Sequence, residues 1–176
     1  MSRTDRVGFG KYGKSFQEGL IQLIYSDRPF ADQITEVLDI NFLELEYLKV
    51  FVSRIIEYRA KYNLHPSSET ITSILNTDLE KESDVIKRQV RDYFRKIQYN
   101  ELSDIEYIKE QSLDFCKKQN LKKAMMRSVA LLQTSSFDEI SKTINDALKL
   151  GSETNFGYDF IADFEERYKP RHRNPL

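Results

Sequence analysis

Cysteine occurs once in this chain, at Cys116. A lone thiol cannot close an internal disulfide, so a disulfide-stapled secreted scaffold is excluded and a cytoplasmic setting fits. Histidine is almost as scarce: His65 and His172 lie far apart, and neither has a second ligand-type residue at metal spacing. Long apolar runs are missing. None reaches the roughly 18–20 residues of a membrane span, and the opening MSRTDRVGFGKYGKS lacks the apolar stretch of a signal peptide. An excess of one charge is missing too. Twenty-seven Lys and Arg against 28 Asp and Glu leave a net charge of -1, which argues against a uniformly basic nucleic-acid binder and leaves room only for local basic clusters. The 6 glycines and 4 prolines sit where helices begin or end, and no segment alternates with period two.

What remains is rich in Leu, Ile, Glu, Lys and Gln with apolar residues at helical spacing. The spacing predicts an all-α chain. After an N-terminal arm, 1–14, expected to be flexible, a helical bundle covers about 15–100. Its first helix runs from Ser15, with Ser15 and Glu18 as a capping box, to Ser26. A short helix follows from about Phe30 to Leu38, opened by Pro29. A longer one spans about Phe42 to Tyr62, with Leu45, Leu48, Val52, Ile55, Tyr58 and Tyr62 as its buried stripe. Pro66 stops it, and further helices start at Ser67 and near Ser83. A helical hairpin covers about 101–150. A helix of about 30 residues begins after the Ser103–Glu106 capping box. Its partner is opened by Ser136 and closed by Gly151. Residues 151–176 form a linker carrying a short amphipathic helix from Asp159 to Tyr168. The chain then ends in a basic, proline-containing stretch that looks truncated.

One motif carries the letters of nucleotide chemistry. Gly8-Phe9-Gly10-Lys11-Tyr12-Gly13-Lys14-Ser15 fits the phosphate-loop pattern G-x-x-x-x-G-K-S. That loop works only when a buried strand precedes it and an acidic strand end supplies a magnesium ligand. Here a polar Ser2–Arg6 precedes it and no such strand follows, so the reading is a decoy: a basic arm ending in a helix cap. Cys116 reads as a small core residue, since nucleophilic catalysis needs a positioned base that nothing supplies. Asp163, Glu165 and Glu166 read as a solvated helix face. No catalytic residue, metal or cofactor is expected.

Surfaces are the more informative feature. A hairpin of two helices buries little by itself, which makes Leu121, Met125, Phe137, Ile140 and Ile144 candidates for self-association or partner contact, some of them shared with the hairpin's own seam. Two basic clusters stand out. Lys87, Arg88, Arg91, Arg95 and Lys96 have Asp84 and Asp92 interspersed, which favours a plain solvated face. Lys117, Lys118, Lys122, Lys123 and Arg127 are less diluted and are the stronger candidates for nucleic acid or an acidic partner.

The order of elements resembles a known family. Ile24-Tyr25-Ser26-Asp27, then Val37-Leu38-Asp39-Ile40-Asn41-Phe42 leading into a helix with Phe51, Ile55 and Tyr58, then Tyr62-Asn63-Leu64-His65-Pro66-Ser67, are similar to the N-terminal domain of DnaB-type hexameric helicases. Phe156-Gly157-Tyr158-Asp159-Phe160-Ile161-Ala162-Asp163-Phe164-Glu165-Glu166-Arg167-Tyr168 resembles the linker helix of the T4-like phage branch of that family. The resemblance implies a helical globule plus hairpin, assembled with copies of itself from dimer to hexamer as the collar of a replicative helicase ring. It implies primase as partner, single-stranded DNA in the full ring, and the cytoplasm of the host cell for a phage-encoded protein. It also implies that Phe160, Ile161, Phe164 and Tyr168 dock on a neighbouring ATPase domain. The ATPase motor itself would lie beyond Leu176, so this chain is expected not to be an enzyme. The alternative is a freestanding helical adaptor, such as a helicase loader or a nucleic-acid-binding accessory factor.

Overall fold

The structure, a computed structural model, describes residues 7–134 and 136–150. The linker helix and its candidates Phe160, Ile161, Phe164 and Tyr168 lie outside the described residues. The described residues contain helices and no strand: α1 (Gly13–Ser26), α2 (Arg28–Ile34), α3 (Glu46–Tyr62), α4 (Ser68–Thr77), α5 (Asp84–Ile97), α6 (Ile105–Leu132) and α7 (Phe137–Lys149), with short 3-10 turns at Phe9–Tyr12 and Ile40–Phe42. The chain divides into two units between Cys116 and Lys117, within α6.

The first unit holds one continuous core. Leu20, Ile21, Ile24, Phe30, Ile34, Leu48, Phe51, Val52 and Ile55 are almost wholly enclosed, and Val90, Phe94, Ile97 and Cys116 extend the same cluster. Polar side chains fix how α1 sits in it. The Gln22 side chain donates to the carbonyl of Asn100 at 2.7 Å and accepts from Asn100 Nδ2 at 3.0 Å. The backbone N–H of Glu44 donates to Gln17 Oε1 at 2.9 Å. Both glutamines are buried, and burying an amide without partners would be costly, so these bonds specify the packing.

Three helix starts, those of α2, α4 and α5, follow the side chains that cap them. Asp27 accepts from Phe30 N, which starts α2 at Arg28 rather than Phe30, and α2 ends at Ile34, short of Leu38. Ser67 and Ser83 accept from Thr70 N and Ile86 N, as their positions in the sequence suggest. α3 begins at Glu46, because Asp39 caps the separate 3-10 turn at Ile40–Phe42. It ends at Asn63, which takes the left-handed conformation, φ 53. Within its stripe Tyr62 is exposed, while Phe51, one position off the expected set, is wholly buried.

The N-terminal arm departs most from expectation. Residues 9–12 wind into a 3-10 turn, and Phe9 is fully enclosed among Phe16, Phe42 and Phe115. α1 therefore begins at Gly13, and no side-chain cap opens it: Ser15 lies inside the first turn. The physical reason is that one phenylalanine, burying 150–250 Å² in general, outweighs a solvent-exposed capping bond.

In the second unit, α6 continues unbroken to Leu132, and α7 follows after residues 133–136. The two helices line one groove, with Asn120, Ala124 and Leu131 on one wall and Thr143, Ala147 and Leu150 on the other. Ala124, Ser128 and Ala147 are buried. Ser128 Oγ donates back to the Ala124 carbonyl at 2.7 Å, which lets a hydroxyl sit in that seam.

Candidate functional site

The Gly8–Ser15 segment winds through a 3-10 turn at Phe9–Tyr12 into α1. A Cβ on Gly8 would stand 2.7 Å from the Phe42 carbonyl oxygen, so this glycine serves close backbone packing. Gly13, at φ +86, serves the turn into α1. Lys14 points to solvent and lies 4.0 Å from Glu18. Lys11 rests over the rings of Tyr12 and Phe115.

One polar cluster of the first unit ties α1 to α3 and α5. Glu18 is the hub. Its Oε1 accepts from the Tyr47 hydroxyl at 2.6 Å, its Oε2 from Lys96 Nζ at 2.8 Å, and its backbone carbonyl from the Tyr93 hydroxyl at 2.6 Å. Burial pushes the Glu18 carboxyl up, but the Lys96 and Tyr47 bonds and the charges of Lys96 and Lys14 outweigh it, leaving the pKa lowered. Burial, then the Glu18 carboxylate, raise Tyr47. Burial raises Tyr93 well above its ordinary value. Both phenols therefore stay protonated and donate. This cluster borders a cleft of about 520 Å³ formed by α1, α5, the 98–104 segment and the start of α6, lined with Lys11, Glu18, Lys96, Glu101, Asp104 and Tyr107 among others. Its charges nearly balance, so it suits a mixed polar and apolar partner segment better than a single anion.

Other chemistry-bearing residues have structural partners. The Arg59 guanidinium pairs with Asp32 and donates to His65 Nδ1 at 2.7 Å. A guanidinium can only donate and a carbonyl can only accept, so His65 carries its proton on Nε2 and gives it to the Tyr25 carbonyl at 2.6 Å. The ring pins the 63–67 segment to the end of α1. Lys109 pairs with Asp27 at 2.7 Å. Cys116 is wholly buried, and burial pushes its thiol up to about 12, which is the wrong direction for a nucleophile. Among the described residues no cluster of His, Cys, Asp and Glu could hold a metal ion, and no helix is long and apolar enough to cross a membrane.

The hairpin candidates split. Leu121, Ile140 and Ile144 are half-buried, whereas Met125 and Phe137 are 56% and 72% exposed. Met126, Val129 and Leu132 on α6 and Leu148 on α7 are also largely exposed. These four were not among the sequence candidates. A signal was present on α6: Met125, Val129 and Leu132 recur at i, i+4 and i+7, a face other than the one where Ala124 and Ser128 are buried. The basic cluster on α6 is more diluted than its own sequence suggests. α7 brings Glu139 and Asp146 into the groove that Lys123 and Arg127 line, together with Lys142. Lys117 is half-buried, and Lys118 and Lys122 are exposed.

No protein-family model, curated protein or solved structure matches the chain.

Proposed function

We propose that this chain is the assembly and primase-docking part of a hexameric replicative DNA helicase, the non-catalytic collar of its ring. The observation that carries the reading is the exposed apolar row of the second unit: Met125, Met126, Val129 and Leu132 on α6, with Phe137 and Leu148 on α7. Apolar area left in water costs about 25 cal/mol per Å², and residues 125, 129 and 132 share one helix face. A second copy of the same row would cover it, and copies that pair in this way are the unit from which closed rings are built. The resemblance of 16–75 and 156–168 to DnaB-type helicases supplies the kind of ring. The cleft bordered by Glu18, Lys96 and Tyr107 is the place for a primase segment.

Sedimentation equilibrium tests the assembly. The wild-type chain should form dimers or larger species at high concentration. Val129→Glu should be monomeric with unchanged helical circular dichroism. A wild-type chain that stays monomeric at every concentration would remove the collar reading and favour a freestanding adaptor.

A further inference from the structure

The outward face of α5 is charged and has no apolar centre. Lys87, Arg88, Arg91 and Arg95 line a shallow cleft of about 360 Å³ together with Asp84 and Asp92. Arg88, Arg91 and Arg95 stand at i, i+3 and i+7, one side of a helix of 3.6 residues per turn. Val90, Tyr93, Phe94 and Ile97 turn the other side into the core. Two carboxylates share the cleft with these four cations. Asp84 sits in the first turn, where it complements the helix dipole. Asp92 lies 3.7 Å from Arg95. Lys87, Arg88 and Arg91 form no salt bridge with any described carboxylate.

The face does not stop where α5 does. Gln98 keeps helical angles, φ -69 and ψ -23, and Tyr99 N donates to the Lys96 carbonyl at 3.2 Å. Tyr99, four residues beyond Arg95, thus prolongs the arginine stripe. Its side chain is 85% exposed, more than any other large apolar or aromatic residue described.

We propose that this face binds single-stranded nucleic acid, with phosphates along Lys87, Arg88, Arg91 and Arg95 and a base stacked on Tyr99. Cations three or four residues apart recur about every 4.5–6 Å along a helix, a pitch suited to a row of phosphates. A protein partner would want an apolar centre depleted of charge, and the exposed apolar residue of α5, Val85, lies at its far end. A duplex keeps its bases stacked internally, whereas a single strand offers one to the exposed ring. The surface lies wholly in the first unit, so it does not depend on the self-association proposed for the second.

Fluorescence anisotropy with a labelled oligothymidylate, over a series of salt concentrations, tests this. The wild-type chain should bind at low salt and weaken as salt rises. Arg88→Gln and Arg91→Gln should each reduce the slope of log affinity against log salt by about 0.7. Tyr99→Ala should weaken binding by about ten-fold at an unchanged slope, and Tyr99→Phe should bind like wild type. Val129→Glu should bind equally well, which separates this result from that on assembly. All four altered side chains sit on the surface, and circular dichroism melting verifies the fold. The proposal is overturned by no binding at the lowest salt or by arginine variants with unchanged affinity and slope. It is equally overturned by duplex binding as tight as the strand with Tyr99→Ala silent, or by polyglutamate competing as well as unlabelled oligothymidylate, which would assign the face to an acidic protein.

Discussion

Gly8 to Ser15 carry the letters of a phosphate loop and the physics of a core plug. The side chain that matters there is Phe9, enclosed by three other phenylalanines, and the lysine that matters in a phosphate loop, Lys14, faces solvent. Phe9→Ala should therefore cost about 3–5 kcal/mol, while Lys14→Ala should change stability by no more than about 0.5 kcal/mol. Urea denaturation measures both, and equal costs would refute the assignment. Sequence context argued against the phosphate loop but read the segment as a flexible arm, because the rings that enclose Phe9, Phe42 and Phe115 among them, lie far along the chain. Glu18 makes a second residue-scale case. Its pKa is lowered by its partners in the folded state, so its contribution is complete above the ordinary value of 4.5 and disappears as pH falls through the lower folded value. Glu18→Gln should lower the melting temperature at neutral pH, and the gap from wild type should narrow in acid. A gap independent of pH would show that the carboxylate's charge contributes nothing.

Side-chain caps set where α2, α4 and α5 begin. Ser67 and Ser83 each accept a backbone N–H from three residues on. Ser15 has the same local signature but lies within α1, where the turn before it already leads in. Ser67→Ala and Ser83→Ala should each lose about 1 kcal/mol, and Ser15→Ala should lose much less; chemical denaturation of the three variants checks the order. α6 and α7 show how one element changes the meaning of another. The α6 lysines are undiluted along their own sequence, yet Glu139 and Asp146 reach their groove from α7. On α5 the two acids come from the helix itself: Asp84 and Asp92 line the same cleft as the four cations, with Asp92 3.7 Å from Arg95.

At the scale of the whole chain, the continuous core belongs to one unit and the exposed apolar row to the other. Every residue of the core cluster lies between Phe9 and Cys116, and the row lies between Met125 and Leu148. A chain of residues 7–116 is therefore expected to unfold cooperatively on heating, since it keeps its core, and to stay monomeric where the full chain associates. Calorimetry and sedimentation measure the two properties. Loss of cooperative unfolding would mean that the first unit leans on residues beyond Cys116.

The amino-acid sequence by itself determined the helical class, the order of the seven helices among the described residues, the helix starts at Ser67 and Ser83 and the unbroken length of α6, because these depend on period, propensity and neighbours a few residues apart. Tertiary structure decided which side chains come together. The Glu18 hub joins residues 29 and 78 positions apart, and the enclosure of Phe9 needs Phe42 and Phe115. Which cations keep carboxylate neighbours depends on helices that meet only on folding. Short-range rules do not contain such pairings: burial and electrostatics act through space, and the chain distance between partners carries no trace of them.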